Sequence, residues 1–131
     1  MHWFEEVVTV PPPLVAVVDD DESVRESLPD LLRELGYSAR AFASAQEFLA
    51  FDSIADMACL ILDVAMPGMS GPELHHELAL QGRAIPIIFV TGLTDKSLAS
   101  ELLQRGAVAY LIKPFSEQEL REALAAALPG T

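Results

Sequence analysis

The sequence predicts an α/β fold, a doubly wound parallel sheet built from five βα units. Three observations carry this. Short apolar runs alternate with stretches of helical spacing along most of the chain. Several of those runs are apolar throughout, as strands buried on both faces require. The helical stretches open on capping residues or close on glycine, which marks their ends. Alternation of this kind implies right-handed crossovers and helices on both faces of the sheet.

The elements follow in order. "LVAVV" (14–18) is the first buried strand. Over 22–35, Val24, Leu28, Leu31, Leu32 and Leu35 share one helical face, and Gly36 closes the helix. Pro29 removes one helix hydrogen bond, so a bend or a shortened first turn is expected there. "SARAF" (38–42) reads as a short alternating strand. Ser44 then caps a helix, with Glu47 at capping-box spacing and Phe48, Leu49 and Phe51 turned inward. "ACLIL" (58–62) is a buried strand that runs straight into Asp63. Gly71-Pro72 begins a helix over 71–80, with proline early, where it is tolerated. "PIIFV" (86–90) is the next buried strand, and 95–105 is helical, closed by Gly106. "VAYLI" (108–112) is the last buried strand. Ser116, with Glu119 three residues on, opens the final helix, which Pro129-Gly130 ends.

These elements form one domain over 14–128, between a leader (1–13) and a short tail or start of a linker (129–131). The leader reads as a mobile tail behind a stiff three-proline spacer. An added strand at "VVTV", with Trp3 and Phe4 docked on the domain, is the alternative. Apolar residues make up 51% and charged residues 21%, a globular balance. No apolar run approaches the about 20 residues that span a bilayer. The acidic N-terminus lacks the basic and long apolar regions of a secretory signal, and the single cysteine, Cys59, sits in an apolar run as core. All of this suits the cytoplasm. The net charge of −12 repels phosphate backbones, so nucleic-acid binding by this domain is not expected.

In open parallel sheets the ligand site lies beyond the carboxyl ends of the strands. Here the first strand ends in "DDDE" (19–22), the third in Asp63, the fourth in Thr91 and the fifth in "KPF" (113–115). Converging carboxylates repel unless a cation joins them, and oxygen ligands with few protein donors suit Mg²⁺. Asp19, Asp20 and Asp63 supply three negative charges; a divalent ion and Lys113 supply three positive ones. Capping of the first helix accounts for one acidic residue of the run, but not for an aspartate at the tip of another strand. A carboxylate beside Mg²⁺ and a lysine can attack phosphorus, with a hydroxyl such as that of Thr91 bonding a phosphoryl oxygen. His75 and His76 are adjacent on a helix, about 100° apart, and read as solvated rather than as a metal pair.

"VVDDDESVRESL", "LILDVAMPGMSG", "FVTG" and "GAVAYLIKPF" together resemble the receiver domain of bacterial two-component response regulators. The likeness covers residues 14 to about 128 and is nearest the FixJ/NarL type, through "GYSARAFASAQEFL" and "MPGMSGPEL". It implies a flavodoxin-like receiver fold with strand order 2-1-3-4-5. It also implies that Asp63 accepts the phosphoryl group and that Asp20, helped by Asp19, holds Mg²⁺ with Asp63 and the backbone carbonyl of Ala65. Lys113 would pair with the phosphoryl group, Thr91 and Tyr110 would be the switch residues, and the Lys113–Pro114 bond would be cis.

The implied partners are a sensor histidine kinase or a phosphotransfer protein. A homodimer through the fourth helix, fifth strand and fifth helix is the implied response. Ala65 and Leu93 cannot orient a hydrolytic water, so a long-lived phosphoryl group is expected. The FixJ/NarL type usually continues into a LuxR-type DNA-binding domain, and whether one follows Thr131 stays open. Two other readings remain. One is an interaction module working without phosphorylation. The other is a haloacid-dehalogenase-type phosphatase, whose second acid, two residues after the nucleophile, is replaced here by Ala65.

Overall fold

A computed structural model describes residues 11–92, 94 and 96–129. The added strand at "VVTV", the docking of Trp3 and Phe4, and the expectations for Leu93 and Gly130 lie outside the described residues. Five strands alternate with five helices: β1 Leu14–Val18, α1 Glu22–Glu34, β2 Ser38–Phe42, α2 Ala45–Leu49, β3 Met57–Asp63, α3 Gly71–Leu80, β4 Ile87–Thr91, α4 Lys96–Gln104, β5 Ala109–Ile112 and α5 Glu117–Ala127. All pairings are parallel, in the order β2-β1-β3-β4-β5.

The sheet divides the core by side-chain alternation, since successive strand residues face opposite ways. Val15, Val17, Cys59, Ile61, Ile88 and Val90 face α1 and α5, meeting Leu28, Leu32, Leu120 and Leu124. Ala16, Val18, Leu60, Leu62, Ile87 and Phe89 face the other way, onto Phe48, Leu74, Leu78 and Leu102 of α2, α3 and α4. Both faces are covered, which is why β1, β3 and β4 read as unbroken apolar runs.

Local chemistry sets the ends. α3 and α5 start with reciprocal capping boxes, Ser70 with Glu73 and Ser116 with Glu119. α1 and α4 are followed by Gly36 and Gly106, whose φ values of 100° and 106° favour glycine. No helix among the described residues is long and apolar enough to cross a membrane.

Several expectations are corrected. The shortened first turn offered as one outcome at Pro29 is not found: α1 keeps its first turn and runs through that buried proline. Its start is set by the Asp21 cap, two turns upstream of the proline, so the missing N–H does not shorten it. β5 is not a buried strand: it is the sheet's edge, and Ile112 is 42% exposed. At α2 the Ser44 hydroxyl accepts from the Glu47 N–H at 3.0 Å, but the Glu47 carboxylate reaches back to the Ala43 N–H at 3.3 Å. Leu49 and Phe51 turn inward, as expected, packing partly buried against the core. His76 is exposed, as expected, while His75 is partly buried against the Phe89 ring, with centroids 5.8 Å apart. The Lys113–Pro114 bond, by contrast, is cis as the resemblance implies.

Candidate functional site

Asp63 is the last residue of β3 and keeps the parity of Cys59 and Ile61, toward α1 and α5. Asp19 follows β1 and Lys113 follows β5, continuing the same parity on their strands. Parallel pairing therefore brings three chain segments to one edge. Lys113 Nζ lies 2.7 Å from Asp19 Oδ2 and 3.8 Å from Asp63 Oδ1. One carboxylate oxygen from each of Asp19, Asp20 and Asp63 lies within 4.8 Å of the others.

The acidic run divides its labour. Asp21 is the cap of α1, accepting from the Ser23 N–H at 2.9 Å and from the Ser23 hydroxyl at 2.8 Å. That leaves Asp19 and Asp20 for the cluster. Asp19 is fully buried and held at every polar atom. Its N–H donates to Phe42 O, its Oδ1 accepts from the Asp21 N–H, its Oδ2 accepts from Lys113, and its carbonyl accepts from Arg25 Nη1. Asp20 is exposed.

Burial pushes the Asp63 carboxyl up to about 7, with the Asp19 charge adding to the rise, Lys113 opposing it and Asp20 contributing further. One ammonium thus stands against three converging acids. The donors are all carboxylate oxygens, which fits a hard divalent ion such as Mg²⁺ better than zinc.

Thr91 and Tyr110 lie on the other parity of the sheet. Thr91 ends β4, 1% exposed, with the parity of Phe89, toward α3 and α4. Tyr110 stands opposite Phe89 and packs on the same face, half-buried. The two parts meet through backbone: the Lys113 N–H donates to Thr91 O at 2.7 Å. Ala65 is exposed, two residues beyond Asp63.

Two contributors went unread in the sequence. A Cβ at Gly71 would run into the Asp63 carbonyl oxygen, and the Gly71 N–H donates to Val64 O at 2.9 Å. Glycine there lets α3 start directly against the end of β3; the adjacent Gly-Pro pair signalled only a helix start. Arg25, whose guanidinium holds the Asp19 carbonyl, carries no signal in the sequence beyond its place in α1. Beside the cluster an open groove of about 620 Å³ runs between α1 and the β5–α5 turn, lined by Val24, Leu28, Leu31, Pro114 and Phe115.

The family model described as "Response regulator receiver domain" matches residues 15–125. Response regulator protein TodT of Pseudomonas putida is 43% identical over 115 residues, covering 88% of this chain and 51% of that protein. Nodulation protein W of Bradyrhizobium diazoefficiens is 45% identical over 114 residues, covering 87% of this chain and 50% of that protein. The chain thus spans about half the length of these relatives. Among solved structures, that of FixJ-N has a TM-score of 0.79 at 38% identity, covering 90% of this chain and 94% of its own.

Proposed function

Because this chain belongs to the response regulator receiver domain family, we propose that Asp63 accepts a phosphoryl group from the phosphohistidine of a sensor histidine kinase or a phosphotransfer protein. Receiver domains belong to two-component signalling and are regulatory, so no external substrate is turned over. The observation that carries the reading is the cluster itself: three carboxylates from two strand ends, with Lys113 Nζ between Asp19 and Asp63.

Asp19, Asp20 and Asp63, with the carbonyl of Ala65, would hold Mg²⁺, which when bound neutralises negative charge on a transferring phosphoryl group. The chain's own residues do the rest. An ionised Asp63 oxygen attacks phosphorus in line; the new P–O bond forms as the P–N bond breaks, and the imidazole leaves with the electron pair. The Lys113 ammonium, 3.8 Å from Asp63, pairs with a phosphoryl oxygen. The Thr91 hydroxyl turns toward the new group, and Tyr110 repacks on the face they share. The α4-β5-α5 surface then changes to control a downstream output, as a homodimer contact. A bias of a few kcal/mol between two conformations is enough. The charge of −12 argues against contact with nucleic acid through this domain.

Intact-mass spectrometry after acetyl phosphate and Mg²⁺ tests the reading. The protein is expected to gain one phosphoryl group, and Asp63→Asn or excess chelator should prevent it. An unchanged mass in the unsubstituted protein refutes phosphoacceptance and leaves an interaction module that works without it.

A further inference from the structure

Arg25 occupies the first turn of α1, half-buried. Guanidinium groups favour carboxylates. Yet among the described residues its side-chain hydrogen bond runs from Nη1 to the backbone carbonyl of Asp19, at 3.0 Å. That carbonyl belongs to the peptide joining Asp19 to Asp20. The next peptide, between Asp20 and Asp21, is held as well, because the Asp21 N–H donates to Asp19 Oδ1 at 2.9 Å. Asp20 is exposed, so these two flanking peptides, together with the contact of its side chain with Asp63, set its direction rather than packing.

We propose that Arg25 is a positioning residue for the acidic cluster. By fixing the 19–20 peptide it aims the Asp20 carboxylate at Asp19 and Asp63, the grouping that would hold a divalent cation. This rests on the Mg²⁺ reading of the site given above. The inference has a sign that separates it from a simple charge effect. A guanidinium near a cation site repels the cation, so losing only the charge would tighten binding. Losing the anchor would loosen it, as removal of groups that orient metal ligands does.

Calorimetric titration of Mg²⁺ into the unphosphorylated protein decides between them, with thermal melts in chelator to verify folding. Arg25→Met is expected to weaken Mg²⁺ binding about tenfold. Arg25→Lys, which keeps a donor and the charge, should recover most of the loss. If Arg25→Met fails to fold, Arg25→Gln, whose amide is too short to reach the Asp19 carbonyl, takes its place with the same expected loss. Equal or tighter binding by the Met or Gln variant overturns the role given to Arg25. Absence of Mg²⁺ binding in the unsubstituted protein overturns instead the reading on which that role rests.

Discussion

Asp63 is costly to ionise where it stands, and that cost has a pH signature. Its carboxyl is raised from the usual 3.8 to about 7, by burial first and by Asp19 next. Between those values the folded state keeps a proton that the unfolded state has released. Stability therefore falls as pH rises through that window and levels off above about 7. A shift of this size corresponds to a few kcal/mol at most. In chelator, Asp63→Asn should raise Tm at pH 8 by more than at pH 4.5; an equal gain at both would sink this account. Mg²⁺ should stabilise the unsubstituted protein more at pH 8 than at pH 5, because protons compete for the same oxygens. At this scale the sequence was informative about which acids reach the site, since strand ends deliver them. It did not say which acid caps α1. That role fell to Asp21 because only its side chain meets the Ser23 N–H.

The junction between β3 and α3 carries a sharper constraint than its sequence advertises. Gly71 lies so close to the Asp63 carbonyl that a methyl group would displace backbone on one side or the other. Gly71→Ala should cost about 3 kcal/mol and slow phosphorylation of Asp63 along with it. Ser70→Ala, which removes only the cap of the same helix, should cost about 1 kcal/mol and leave phosphorylation nearly unchanged. Urea unfolding and intact-mass time courses on the two variants make the comparison, and equal costs would contradict the close approach. Periodicity gave α1, α3 and α5 to within a residue or so, because apolar spacing and capping serines are local signals. Residues 108–112 show where local signals stop. "VAYLI" looks like any buried strand, but its exposure follows from lying at an edge, which depends on which strands pair. The strand order came from family resemblance for the same reason: spacing along the chain does not say which neighbour a strand takes.

The sheet as a whole separates two groups of side chains: the charged cluster lies on the parity of α1 and α5, while Thr91 and Tyr110 lie on that of α3 and α4. The phosphoryl group proposed for Asp63 would stand near both, and the Lys113–Thr91 backbone bond ties the strand ends together. The surface proposed to respond carries two exposed apolar residues, Leu103 at 44% on α4 and Ile112 at 42% on β5. Burying them in a dimer is favourable, but each copy carries a net charge of −12. Repulsion between copies therefore opposes a modest apolar contact. The screening length falls from about 10 Å at about 0.1 M salt to about 3 Å at about 1 M. Sedimentation velocity should find a monomer without modification and a dimer with beryllofluoride and Mg²⁺, and the dimer should tighten as salt rises. Ile112→Glu should keep the protein monomeric while it still gains the phosphoryl mass from acetyl phosphate. A dimer that persists in that variant places the contact on another face. A dimer that weakens with salt means that ion pairs across the interface outweigh the repulsion between the chains.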